Sequence, residues 1–249
     1  MKRGLDFVFS ATGLLLLSPV FAVVCLLVWA QDKHSPFYIA PRVGQSGKLF
    51  QMIKLRSMVV HADRSGVDST ATDDSRVTRI GRIIRKLKLD ELSQLWNVLI
   101  GDMSLVGPRP QVESDVHLYT EAERQLLEVR PGITDFASVV FADEGTILEG
   151  ASDPDLRYNQ LIRPWKSRLG LHYFSCRNTL LDLRLIVITL VNAVSRRRAL
   201  QAIAALLDET GADGVLVAVA RRRDPLEAAP PPGATEVVRS RVPNTAPSS

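Results

Sequence analysis

The run from Phe7 to Ala30 leaves this chain fewer choices than any other stretch, because it is almost wholly apolar and about 24 residues long, and a bilayer span needs about 20. It comes after Met1-Lys2-Arg3 and gives way to Gln31-Asp32-Lys33. A secretory signal peptide would have a shorter apolar region, about 7–15 residues, and a small-residue cleavage site behind it. A plain span with Lys2 and Arg3 held inside would carry a basic remainder outside, against the positive-inside tendency. Ser18-Pro19 in the middle points to a third arrangement. Proline lacks a backbone N–H and its ring crowds the preceding turn, so a helix bends there. Each half is then about a dozen residues and about 17 Å of rise, against a hydrocarbon core of about 30 Å. The expectation is a re-entrant helix-break-helix anchor over residues 1–33, entering and leaving on one face. A kinked spanning helix is the alternative, since proline is tolerated in membrane helices.

The chain beyond the anchor is long enough for one sizeable domain with appendages, and a net charge of +4 with a pI near 9.3 favours anionic partners. Cys25 and Cys176 are the only cysteines and neither sits in a C-x-x-C, which fits a reducing cytoplasm better than a disulfide framework. The four histidines show no zinc-ligand spacing.

Ser35 to Tyr38 and Lys48 to Ile53 read as short extended pieces, and Val59 to Arg76 as a polar, mobile loop that could serve as a lid. Ile80 to Pro110 divides into two helical pieces. Ile80, Ile83, Ile84 and Leu87 recur at the spacing of a buried helix face, with Arg79, Arg82, Arg85, Lys86 and Lys88 around them. Leu92, Leu95, Trp96 and Leu99 repeat that spacing, with Asp90 at the N-cap position and Gly101 at the C-cap. Ordinary capping would by itself account for Asp90-Glu91, worth roughly 1 kcal/mol. The neighbouring cations offer a second account, since Arg85 and Lys86 one turn earlier could hold a phosphate beside a carboxylate nucleophile. Arg109 between Pro108 and Pro110 has a restricted backbone and a planar donor fork suited to phosphate. Downstream, Ser114 to Val129 reads as a helix, and Leu161 to Leu171 and Thr179 to Val194 as helices suited either to a membrane interface or to a core. Ala199 to Asp208 reads as a helix, Val215 to Ala220 as a strand, and Pro225 to Ser249 as a disordered tail.

The run Leu89-Asp90-Glu91-Leu92-Ser93-Gln94-Leu95-Trp96-Asn97-Val98-Leu99, continued by Gly101-Asp102-Met103-Ser104-Leu105-Val106-Gly107-Pro108-Arg109-Pro110, resembles the signature of the bacterial sugar transferases, monotopic polyprenyl-phosphate phosphoglycosyl transferases that initiate glycan assembly. The resemblance extends to Lys54-Leu55-Arg56-Ser57-Met58, Asp73 to Thr78 with Gly81, Arg130-Pro131-Gly132-Ile133-Thr134 and Leu181-Asp182-Leu183-Arg184. It implies a helix-rich α/β fold, a monotopic anchor broken at Ser18 and Pro19, amphipathic interfacial helices, and a catalytic domain over residues 34–198 on the cytoplasmic face of a bacterial inner membrane. Residues 199–224 form an extension beyond it, and 225–249 the tail. The implied reaction moves a phosphosugar from a UDP-sugar to polyprenyl phosphate, releasing UMP. Asp90 is the implied nucleophile and Glu91 its partner, holding Mg²⁺ with it or managing the proton inventory, with Lys54, Arg56, Arg85 and Arg109 on phosphate. The implied partners are these two substrates and membrane lipids, not nucleic acid; the oligomeric state stays open, a homodimer included. Two departures bear on sugar contacts: Asp135 to Glu144 replaces the more usual Gly-Trp-Ala-Gln-Val-Asn-Gly-Arg, and Gly170 stands where relatives often carry an acidic residue. A membrane-tethered nucleic-acid regulator built on the basic helix and a non-catalytic scaffold are the rival readings, and Asp90-Glu91 speaks against both.

Overall fold

The computed structural model describes residues 2–65 and 69–240, and the loop expected over Val59 to Arg76 falls partly outside them. Twelve α-helices and four strands succeed one another: α1 (Lys2–Asp32), β1 (Phe37–Val43), β2 (Leu49–Leu55), α2 (Arg79–Lys86), α3 (Gln94–Ile100), β3 (Ser104–Val106), α4 (Glu113–His117), α5 (Glu121–Arg124), β4 (Gly132–Thr134), α6 (Phe136–Val140), α7 (Glu144–Leu148), α8 (Pro154–Leu161), α9 (Arg163–Cys176), α10 (Thr179–Val194), α11 (Arg196–Glu209) and α12 (Gly214–Arg221), counted among the described residues. The fold is helix-rich, as expected. Its sheets are small: β1 and β2 form an antiparallel hairpin, and β3 pairs β4 in parallel. Pro41 lies inside β1 opposite Gln51, which a two-stranded sheet allows because each strand keeps an open edge.

The segment expected to be the anchor is a single long apolar helix, uninterrupted at Pro19, where a helix-break-helix was expected. Pro19 cannot donate to Leu15, four residues back, and the Ser18 hydroxyl donates to that carbonyl instead at 2.8 Å. The serine thus supplies the hydrogen bond that the proline withholds. Both ends of α1 are tied to the same domain. At its start Lys2 Nζ reaches Asp182 (2.7 Å), the Tyr173 hydroxyl and the Val106 carbonyl (both 2.8 Å), Arg3 reaches the Val98 and Leu99 carbonyls, and Asp6 accepts from Ser104 and the Leu105 N–H. At its end Asp32 takes the fork of Arg56. Between them Phe7, Val8, Leu15, Leu16, Val23 and Leu26 are exposed.

The main core gathers α6, α9, α10, α11 and α12 around Phe136, Leu169, Tyr173, Leu185, Ile203 and Leu207. Several local expectations change in this setting. The helix expected over Ser114 to Val129 is broken into α4, α5 and a 3-10 turn, because Thr120 and Glu123 form a capping box that starts α5. Glu123 is then fully buried against Arg163 at 2.6 Å. The α9 helix is a core element, with Arg163, Leu169, Gly170 and Tyr173 buried, whereas α10 keeps an exposed apolar stripe at Leu180, Leu183, Val187, Leu190 and Val194. Residues 215–220, expected as a strand, are helical in α12 and pack against α11, where Leu216, Val217 and Ala220 need a helical rather than an alternating spacing to share one face. The tail is bonded to the domain as far as it is described: Ala229 donates to the Gln160 carbonyl, Gln160 to that of Val238, and Thr120 to that of Pro232.

Candidate active site

Two polar residues of the segment that starts α3 decide where the acidic pair lies. Ser93 Oγ donates to the Ile53 carbonyl at 3.0 Å, and Asn97 both accepts from the Ile53 N–H at 3.0 Å and donates to the Gln51 carbonyl at 2.8 Å. At i and i+4 these side chains share one helix face and complete the open edge of β2. Lys54, the next residue of β2, is thereby brought to the start of α3. Periodicity did not mark either residue, since it weighs apolar positions.

Asp90 and Glu91 sit in a 3-10 turn, Leu89–Glu91, ahead of α3 and behind Lys88, whose φ of 56° is left-handed. The N-cap of α3 is Ser93, so Asp90 is not the cap that its sequence position suggested. The left-handed residue separates α2 from the turn that carries the acidic pair. Asp90 Oδ1 is buried with no hydrogen-bond partner among the described residues, whereas Glu91 accepts from Arg109 Nη1 at 2.9 Å. The apolar face expected for the basic helix is divided as well. Ile84 is buried against α1, but Ile83 and Leu87 are 59% and 60% exposed, because α2 touches the domain along one narrow side.

Arg109 is presented by a tight crossing of two chain segments. Gly107 donates to the Thr134 carbonyl and Gly132 to the Pro108 carbonyl, each at 2.9 Å. A Cβ on Gly132 would lie 2.1 Å from the Gly107 nitrogen, so only glycine allows this approach.

The electrostatics arise from burial and from these neighbours. Burial pushes the Asp90 carboxyl up, with Lys54 and Arg109 opposing and Glu91 adding to the rise. Burial also acts upward on Glu91, but Arg109, Lys88 and Lys54 outweigh it and hold that group low. Lys54 is pushed down to about 8 by burial and then by the Arg109 charge, against the pull of Asp90 and Glu91. Arg109 is raised, first by Glu91. Adjacent carboxylates are therefore driven apart, one held ionised by an arginine and the other left without a partner.

These groups line one wall of a cleft of about 1470 Å³. Arg85 lines it too, half-buried on α2. Arg56 reaches the rim, but its guanidinium is spent on Asp32 and on the Ser35 carbonyl at 2.8 Å, so it joins the anchor to β2 and stands apart from the acidic pair. Ser18 and Pro19 lie in α1 outside the cleft. The far wall carries residues that no spacing singled out. Glu144 pairs with Lys166, and Tyr158 lies beside them. Burial acts upward on Glu144, but Lys166 and then Arg109 hold it low. Asp135 caps α6 through the Ser138 N–H at 2.7 Å and is thereby occupied. A side chain at 170 would require Leu126 to shift, since a Cβ on Gly170 would lie 2.9 Å from its Cδ2. Part of the polar loop is bonded to this same wall: the Ser69 N–H donates to Asp155 at 2.7 Å and that of Thr72 to the Gly145 carbonyl at 3.0 Å.

A family model described as bacterial sugar transferase matches residues 1–196. The chain is 40% identical to an exopolysaccharide production protein, ExoY, of Sinorhizobium fredii, over 53% of this chain and 66% of that protein. It is 45% identical to a putative undecaprenyl-phosphate N-acetylgalactosaminyl 1-phosphate transferase of Bacillus subtilis, over 45% of this chain and 62% of that one. Against an undecaprenyl-phosphate glucose phosphotransferase of Komagataeibacter xylinus the identity is 35%, over 80% of this chain and 36% of that protein. The chain thus spans two thirds or less of the length of these relatives.

Proposed function

Because this chain belongs to the bacterial sugar transferase family, we propose that it moves a sugar 1-phosphate from a UDP-sugar to polyprenyl phosphate at the cytoplasmic face of a bacterial inner membrane, as the first membrane step of a surface glycan. The observation that carries the chemistry is the unpartnered, buried Asp90 Oδ1 in a cleft that also holds Lys54 and Arg109. A carboxylate engaged in capping or in an ion pair would have to break that bond before reacting; this oxygen has none to break. Asp90 attacks the sugar-bearing phosphorus, a P–O bond to the aspartate forms, and the bridging P–O bond to the nucleotide breaks, with UMP leaving. An oxygen of polyprenyl phosphate then attacks the same phosphorus and the Asp90 carboxylate leaves, giving polyprenyl diphosphosugar. Arg109, oriented by Glu91, and Lys54 stabilise charge as it shifts among the phosphate oxygens.

Asp90 and Glu91, adjacent oxygen donors with one oxygen unpaired, would hold Mg²⁺ as two of its ligands, leaving the rest to substrate phosphate and water. When bound, Mg²⁺ would neutralise diphosphate charge. The membrane side of the reading is supported by the exposed apolar length of α1, and by the attachment of both its ends to one domain, which suits a helix that returns to the face it came from.

The test is UMP release from a panel of UDP-sugars with polyprenyl phosphate, in wild type and in Asp90→Asn. The amide keeps the size of the side chain and removes the nucleophile, so the expected result is turnover in wild type with some donor, and in the variant neither turnover nor a phosphosugar adduct by intact-mass spectrometry. Full activity of Asp90→Asn would overturn the mechanism.

A further inference from the structure

Residues 197–240 lie beyond the matched family region, and with Arg196 they include two arginine triplets, Arg196–Arg198 at the start of α11 and Arg221–Arg223 at the end of α12. The α11–α12 hairpin folds back on itself through Ala199, Ile203, Leu216, Val217 and Ala220, which returns the second triplet to the first. The meeting is recorded by Asp143, whose carboxylate holds Arg196 at 2.7 Å and Arg222 at 3.1 Å. These are the ion pairs of the six arginines among the described residues. Arg197, Arg198, Arg221 and Arg223 are exposed, with Asp224 as the adjoining acidic residue in sequence. Two arginine triplets joined through one carboxylate bring like charges near one another at a cost in self-repulsion, which an external anion would relieve.

Position says which anion. The apolar stripe of α10 ends at Leu190 and Val194, 67% and 90% exposed, directly ahead of Arg196. An apolar face that passes into arginines is the layout of a surface seated in a bilayer with its guanidinium groups at the level of the headgroups. We propose that Arg197, Arg198, Arg221 and Arg223 form a contact site for the anionic phospholipid headgroups of the membrane in which α1 and α10 are seated, so that the extension docks the domain on the bilayer at a second point. The proposal rests on the membrane-facing reading of α1 and α10 and not on the transfer chemistry.

The full chain would be placed in nanodiscs of phosphatidylcholine alone or with phosphatidylglycerol, and backbone hydrogen exchange measured over residues 214–223. Exchange about 10-fold slower with phosphatidylglycerol is expected, since each basic side chain near an anionic surface contributes to binding. That difference should vanish at about 1 M salt, where screening acts within about 3 Å. It should also vanish in R197Q/R198Q/R221Q/R223Q, whose amides at residues 203–207 report whether the hairpin remains folded. Replacing the same four arginines by lysine should keep the response, because a headgroup layer is read as charge. Equal exchange in the two discs, or loss of the response in the lysine variant, would overturn the proposal. Equal protection in neutral discs on adding inorganic diphosphate or a short DNA duplex would overturn it too, in favour of a soluble anion. UMP release in neutral discs reports on the transferase reading separately, since none of the four residues lines the cleft.

Discussion

At the scale of single residues, the two acidic neighbours differ because one has a partner and the other has none. Glu91 is held by Arg109, and Asp90 is left with an unpaired oxygen beside Lys54. Lys54 links this arrangement to pH. With its pKa pushed down to about 8, it is charged below that pH and neutral above it. If its charge attracts phosphate, kcat/KM should fall as pH rises through about 8, and Lys54→Arg should remove that limb, since an arginine stays charged. A pH–rate profile of both proteins checks this, and an unchanged limb in the arginine variant would take Lys54 out of the account. The position of Lys54 beside an acidic pair was not legible in sequence, where it stands 36 positions before Asp90. It depends on Ser93 and Asn97 completing the edge of β2.

At the scale of elements, Ser18-Pro19 weakens α1 without cutting it, because the serine satisfies the Leu15 carbonyl and the helix continues. A membrane that favours return to the same face has at this point a turn held by a side chain where a backbone bond would otherwise be. Replacing both residues by alanine restores the backbone bond and leaves 31 helical residues, about 46 Å, more than the roughly 30 Å core of a bilayer. The expected outcome is a shift to a spanning topology with loss of UMP release. Cysteines placed near each end, probed with a membrane-impermeant reagent in intact spheroplasts, check it: a newly labelled end supports the shift, and wild-type labelling with wild-type rate would assign the topology instead to the end contacts, Lys2 with Asp182 and Asp32 with Arg56.

At the scale of the whole molecule, the cleft has two walls from distant parts of the chain, and the segment after α12 braces the far one. Gln160 on α8 bonds both Ala229 and Val238, and Trp165 on α9 donates to the Glu227 carbonyl at 3.3 Å. Removing residues 225–249 breaks these bonds, each worth about 1 kcal/mol, and exposes the surface under Ala229. A fall in Tm of about 6–12 °C is expected, with a weaker KM for the UDP-sugar because Tyr158 and Lys166 lie on the same two helices. Thermal denaturation and initial rates check both, and an unchanged Tm would show that the segment is a passenger. By itself the sequence determined the elements whose cause is local: the apolar anchor, the glycine that ends α3, the acidic pair, the prolines around Arg109 and the family that these motifs mark. The tertiary structure decided the rest. It released Asp90 from capping, gave Arg56 to α1, set Glu144 and Lys166 in the same cleft as Arg109, made a helix of residues 215–220 and bound residues 227–238 to the domain, because each of these outcomes depends on a partner from far along the chain, and spacing within a short window carries no information about such partners.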